Sequence, residues 1–192
     1  MKRPLGYQIT EFDCGTTSFI NAISYLYERE EIPAKLIKEV YSYTLDCYYG
    51  KNKKESCGTS RKAVKKLTKH INKYAKENKF NINCIVLDKE NVNFDNIFKC
   101  LDKNGVVVAR CWQGCEHYVI ITKIDKKYAY IFDPYYVDDK NWNNDDDIKI
   151  ITNKTYSYNR KVTLKRLFSQ NNQDFSLGKI SNRECILIKN EY

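Results

Sequence analysis

The chain has 192 residues, which suits one domain, and 42% of them are hydrophobic, enough to build a buried core. Its N-terminus, MKRPLGYQIT, lacks the apolar segment of a secretory signal, and no apolar run approaches the roughly 18 residues of a membrane span. We therefore expect a cytoplasmic protein without membrane contact, whose eight cysteines are reduced thiols.

The first third of the chain has helical periodicity. Apolar residues recur every three or four positions after Cys14, which predicts a helix that begins there with Asp13 as its capping residue. Pro33 is a favoured first-turn residue and predicts the start of a second helix. Residues 46–58, DCYYGKNKKESCG, have the composition of a polar loop.

A third helix, capped by Thr59 or Ser60, is strongly basic. Residues 51–79 contain eleven Lys or Arg against two Glu, whereas the rest of the chain is neutral, so this segment holds all of the formal net charge of +9. Such asymmetry points to an anionic partner, and the alternative is an ordinary solvated face, which is the more common role of a basic helix. The lysines that we expect to bind this partner are Lys62, Lys66, Lys69 and Lys73.

From Phe80 onward the periodicity changes to that of strands. NINCIVLD predicts a strand and NFDNIFKCLDKN a short helix, and GVVVARCW, HYVIITKID and KKYAYIFDP predict three successive strands. Residues 138–147 resemble an acidic surface loop, and a short helix, TLKRLFSQ, and a strand, ECILIKN, complete the chain. Helices followed by antiparallel strands predict a single α+β domain over residues 1–192, with a helical half packed on an antiparallel sheet.

Cys14 has the position of an activated thiol. A cysteine is a nucleophile as its thiolate, which a helix N-terminus and a neighbouring imidazole both favour. Of the two histidines, His70 lies among lysines whose positive charge disfavours the imidazolium that base catalysis must form. His117, in contrast, begins an apolar strand that can hold it rigidly. His117 is therefore the expected base.

A catalytic imidazole needs a third group that fixes its orientation. Asp133 ends the strand expected to pair with the strand of His117, and Pro134 stops that strand there. Gln8, six residues before Cys14, offers a side-chain amide that can bind the oxyanion of a tetrahedral intermediate.

Two segments resemble a known family. YQITEFDCGTTS is similar to the start of the C39 peptidases and C39-like proteins of the papain-like superfamily, and HYVIITKIDKKYAYIFDP is similar to their later His and Asp-Pro motifs. The resemblance implies a papain-like fold with Cys14 as nucleophile, His117 as base, Asp133 as orienting residue and Gln8 as oxyanion donor. Family peptidases that cleave double-glycine leader peptides usually sit on an ABC transporter, and this sequence contains no transporter segment.

These features lead to one main prediction and several alternatives. The main prediction is an acyl-transfer enzyme in which a thioester on Cys14 passes to an amine, with an acidic acyl-carrier or peptidyl-carrier protein bound to the basic helix at 59–79. The alternative is a C39-like peptidase that hydrolyses a leader-type peptide. A non-catalytic peptide-binding module is less favoured because both Cys14 and His117 are present. Nucleic-acid binding ranks last because the basic helix lacks a row of aromatic residues.

A metal site has weaker support. Cys111, Cys115 and His117 form C-x3-C-x-H, which has neither the usual spacing of a zinc site nor a clear fourth ligand. The aspartates of 138–147 lack the glycine and terminal glutamate of a calcium loop. We therefore predict neither metal nor cofactor.

Overall fold

The computed structural model describes residues 1–47, 58–137, 142 and 144–190. The helices are α1 (Cys14–Leu26), α2 (Ala34–Tyr43), α3 (Arg61–Asn78), α4 (Phe94–Asp102) and α5 (Leu164–Leu167). The strands are β1 (Asn83–Asp88), β2 (Val106–Gln113), β3 (Cys115–Ile124), β4 (Tyr128–Phe132), β5 (Ile148–Ile150), β6 (Arg160–Thr163) and β7 (Glu184–Lys189).

The strands form one sheet in the order β1-β7-β2-β3-β4-β6-β5, and every neighbouring pair is antiparallel. The predicted α+β class with an antiparallel sheet is thus confirmed. The pairing of the His117 strand with the Asp133 strand is also as predicted, because β3 pairs with β4 and Ile120 lies opposite Phe132. Strands β5 and β6 were not predicted, since three and four residues are too few to establish an alternating pattern.

The sheet is covered on both faces. Alternate residues of β2 point to opposite sides, so that Val106 and Val108 pack beneath the helical half, whereas Val107 and Ala109 pack toward α4. Helix α1 lies on β2 and β3, and α3 lies on β1 and beside α2. The buried sheet therefore holds α1, which begins with Cys14, directly over the strand that carries His117.

The third helix begins as predicted, because the Ser60 hydroxyl accepts a hydrogen bond from the amide of Ala63. The capping role predicted for Asp13 is wrong in its detail. Asp13 precedes α1, but its side chain makes no capping bond to the helix backbone and accepts the amides of Ile9 and Thr10 instead. The carboxylate therefore folds the preceding loop against the helix.

Parts of three predictions lie outside the described residues. The first is the polar loop at 46–58, of which most residues, Cys57 among them, are not described. The second is the basic segment, of which residues 51–57 are not described. The third is the acidic loop at 138–147, of which five residues are not described. No helix in the described part of the chain is long and apolar enough to cross a membrane. No disulfide links the described cysteines.

Candidate active site

Cys14 is the first residue of α1 and is 92% buried at the wall of a cavity. One turn later, the Ser18 hydroxyl donates a hydrogen bond of 2.9 Å to the carbonyl of Tyr118, which joins α1 to β3 one residue beyond His117. Gly15 has no room for a side chain, because an added Cβ would lie 2.7 Å from the Cβ of Thr59. The glycine after the cysteine therefore lets the segment before α3 approach Cys14 closely.

His117 lies between Cys14 and Asp133. Its Nε2 atom is 2.8 Å from Oδ1 of Asp133, and its ring also hydrogen-bonds to the Cys14 side chain. Because Asp133 occupies Nε2, the atom that remains for the thiol is Nδ1. The structure therefore brings together three of the predicted site residues, contributed by α1, by β3 and by the end of β4.

Asp133 is fully buried, and its neighbours hold it in place. Asn159 accepts the Asp133 amide at 2.7 Å and donates to its carbonyl at 2.8 Å. The carboxylate accepts the amide of Tyr135 and the side chain of Gln113, and the Arg160 guanidinium lies 3.7 Å from it. Buried carboxylates require such partners, because an unpaired charge in a protein interior is strongly unfavourable.

Sequence reasoning missed these supporting residues. Asn159 and Arg160 lie at the start of β6, more than twenty-five residues from Asp133. Nothing in the local sequence indicates that this strand pairs with β4. Gln113 carried a weak signal, since it is the last residue of β2, immediately before the turn that leads to the strand of His117.

The ionisation of His117 reflects competing effects. Burial alone would lower its pKa, but the hydrogen bonds to Asp133 and Cys14 outweigh burial and raise the pKa to about 9. The ring is therefore an imidazolium at neutral pH, which is the form that stabilises a thiolate beside it. In contrast, burial raises the pKa of the Cys84, Cys111 and Cys185 thiols and of Cys100, the last to about 11.

Gln8 is half-buried, and its amide nitrogen donates to the carbonyl of Thr10 at 2.7 Å. Its amide oxygen is buried without a hydrogen-bond partner. A side-chain amide has two N–H bonds, so one remains for an oxyanion. The predicted role of Gln8 thus remains a prediction.

Two cavities meet at His117. The first, which we name the thiol-side cavity, is about 600 Å³ and is bordered by Cys14, Arg61 and Arg110. The second, the imidazole-side cavity, is about 470 Å³ and is bordered by Tyr135, Trp142 and Asp174. Both are bordered by four residues, Glu11, Gly114, Cys115 and His117. The cleft thus continues on both sides of the imidazole, whereas Cys14 borders only one of its halves.

The four lysines predicted to bind a partner lie on the exposed surface of α3, away from the thiol. Lys66 lies 4.8 Å from the centre of the Tyr43 ring, and Lys73 is 3.7 Å from Glu77. Only the first turn of this helix, at Arg61, reaches the thiol-side cavity. The basic surface and the cleft are therefore neighbouring but separate features.

The alternative of a zinc site has no support among the described residues, where no three His, Cys, Asp or Glu side chains are grouped as metal ligands. Cys111 lies opposite His117 in the β2–β3 ladder, but Nε2 of His117 faces Asp133.

Comparison with known proteins gives one finding. The model of the Peptidase C39 family matches residues 48–151, more than half of the chain. The matched segment contains His117 and Asp133 and begins after Cys14. Neither the curated proteins nor the solved structures gave a significant match.

We predict that His117 titrates near pH 9 in the wild-type protein and at a lower pH in Asp133→Asn, in which the asparagine can still accept the ring N–H but carries no charge. NMR of the two histidine rings, assigned with His117→Gln, measures this directly. The folded pKa lies above the unfolded value of about 6.5, so the stabilisation is complete below pH 6.5 and is lost as the pH rises through about 9. Titration of wild-type His117 at or below 6.5 would contradict the assigned network.

Proposed function

Because the chain belongs to the peptidase C39 family, we propose that it is a cysteine peptidase that uses Cys14 as nucleophile, His117 as general base and acid, and Asp133 as the orienting residue. The observation that best supports this proposal is that one buried imidazole contacts both Asp133 and Cys14. A nucleophile, its base and the group that orients the base are the parts that thiol catalysis requires.

The reaction begins from an ion pair in which the proton of the Cys14 thiol already lies on Nδ1 of His117. The Cys14 sulfur then attacks the carbonyl carbon of the scissile amide, and the imidazolium protonates the leaving nitrogen as the C–N bond breaks. A thioester on Cys14 remains. His117 next removes a proton from water, which attacks the thioester, and the carbon–sulfur bond breaks to release the acid and restore the thiolate.

Gln8 is the proposed oxyanion donor, through the amide hydrogen that does not bond to Thr10. A donor of this kind lowers the energy of both tetrahedral intermediates because it is already oriented when the negative charge develops. The amide of Cys14 itself, at the N-terminus of α1, is a suitable second donor.

The family match supports water over an amine as the proposed acceptor. The sequence alone led us to favour amide formation, whereas the match to a peptidase family favours hydrolysis, which was the alternative prediction. The chemistry up to the thioester is the same in both reactions, so the roles proposed for the three residues do not depend on the acceptor.

The basic surface of α3 is proposed to bind an acidic macromolecular partner, for which an acyl carrier protein is a suitable probe. Lys62 and Lys69 are exposed and, with Lys66 and Lys73, follow the spacing of one helix face. A row of cations along a rigid helix attracts an anionic partner over a distance comparable to the Debye length.

The catalytic proposal predicts a graded loss of activity. Incubated with a peptide phenyl thioester, the wild type should form a Cys14 adduct that hydrolyses. The variant His117→Ala should form almost no adduct, because the thiol then lacks its base. Gln8→Ala should slow both half-reactions by roughly 10–1000-fold, whereas the surface control Gln173→Ala should not. Intact-protein mass spectrometry resolves formation and decay of the adduct. Undiminished turnover by Cys14→Ala would refute the proposal.

For the basic surface, we predict that reversal of Lys62, Lys66, Lys69 and Lys73 to Glu weakens the binding of an acidic acyl carrier protein at least about 10-fold. The matched control reverses four exposed lysines elsewhere, Lys126, Lys127, Lys154 and Lys165. Fluorescence anisotropy at two salt concentrations measures the binding, and turnover of a small thioester should stay unchanged in both proteins. If the two sets of reversals weaken binding equally, or if the wild type does not bind the carrier protein, the lysines of α3 do not form a partner-binding surface.

A further inference from the structure

The two halves of the cleft have different relations to the reacting atoms. The thiol-side cavity is bordered by both Cys14 and His117, whereas the imidazole-side cavity is bordered by His117 but not by Cys14. In the proposed reaction, the acyl carbon becomes bonded to the Cys14 sulfur and the leaving nitrogen takes its proton from His117. The acyl half of the substrate therefore belongs in the thiol-side cavity and the amine half in the imidazole-side cavity.

The thiol-side cavity contains a fixed guanidinium. Nε of Arg61 is 3.1 Å from Oε2 of Glu184, a residue that is fully buried and also accepts the Tyr118 hydroxyl. The side chain of Arg61 keeps about a third of its surface exposed. A ligand in this cavity thus meets the cation and not the carboxylate that holds it. The second arginine, Arg110, is already paired with Glu116.

The imidazole-side cavity has the opposite character. Asp174 borders this cavity alone, Glu11 borders both cavities, and no Lys or Arg of the described residues borders the imidazole-side cavity. Asp174 is held by Trp142, whose indole N–H donates to it at 2.9 Å, and Glu11 accepts the hydroxyl of Tyr135. The indole of Trp142 is a neutral donor, so within the described part of the chain it leaves the negative charge of Asp174 without a cationic partner.

The geometry points to a cleft that selects the direction in which a charged substrate binds. An acidic side chain is preferred on the acyl side, near Arg61, and a basic side chain on the amine side, near Asp174. This inference rests on the proposed function, because the catalytic atoms define the two sides. Charge complementarity of this kind chiefly sets specificity, since a substrate in the reverse direction brings like charges together.

An experiment that separates the two halves uses the acyl-enzyme. Acetyl-X-Ala-Gly phenyl thioesters, with X as Glu, Gln or Lys, report on the acyl side through the rate at which mass spectrometry detects the Cys14 adduct. Lysinamide, norleucinamide and glutamic acid diamide report on the amine side. The amine attacks the thioester carbon, loses its proton to His117 and displaces the Cys14 thiolate, in competition with water, so the ratio of amide to acid measures its binding.

We expect acylation in the order Glu, Gln, Lys and aminolysis in the order lysinamide, norleucinamide, glutamic acid diamide, with about 3–30-fold between the extremes. Arg61→Gln should abolish only the preference for the Glu donor in acylation. Asp174→Asn, in which the asparagine can still accept the indole N–H of Trp142, should diminish only the preference for lysinamide in aminolysis. The exposed controls Arg29→Gln and Asp95→Asn should change neither.

The possible failures are distinguishable. If Cys14 is acylated but either preference is missing or reversed in the wild type, the inference is wrong and the proposed function stands. If no adduct forms on Cys14, the proposed function fails and the inference fails with it. The comparison of donors and acceptors on the wild type needs no variant, so it remains decisive even if Arg61→Gln does not fold once Glu184 has lost its cationic partner.

Discussion

The hydrogen bond between Nε2 of His117 and Oδ1 of Asp133 is the interaction on which the site depends. It fixes the ring so that Nδ1 faces Cys14, and it helps to raise the pKa of His117 despite burial. Burying this pair is unfavourable unless the other polar atoms of Asp133 are satisfied. Asn159, Tyr135, Gln113 and Arg160 meet that requirement, so the start of β6 and the end of β2 support the candidate site although they do not reach the thiol.

Buried backbone amides and carbonyls also require hydrogen-bond partners, and in this fold asparagine side chains supply some of them. Three buried or half-buried asparagines each bond to both the amide and the carbonyl of a single residue: Asn21 to Gly6, Asn72 to Cys84 and Asn159 to Asp133. Each replaces the pairing that a neighbouring strand would otherwise provide. The first fixes the segment that leads to Gln8 and Cys14, the second covers the outer side of edge strand β1, and the third fixes Asp133, which hydrogen-bonds to His117.

Much of this architecture was predictable from sequence because the relevant signals are local. The helix after Cys14, the strand that begins near His117 and the stop at Asp133 each follow from periodicity or from one proline, and the two flanking motifs led to the correct family. The rest depends on contacts between distant segments. The position of β6 beside β4, the pairing of Arg61 with Glu184 and the division of the cleft have no local pattern. The capping role expected of Asp13 was wrong for a related reason, because two amides of the preceding loop compete for its carboxylate.

We propose that His117, held by Asp133, keeps Cys14 reactive as a thiolate. The most direct test is the rate of iodoacetamide labelling of every cysteine at pH 6, located by peptide mass spectrometry in wild type and His117→Gln. We expect Cys14 to be modified first among the eight thiols of the wild type and its labelling rate to fall at least about 10-fold in the variant, because the thiolate loses its imidazolium partner. Preferential labelling of Cys47, Cys57 or Cys115, or an equal rate for Cys14 in both proteins, would contradict it.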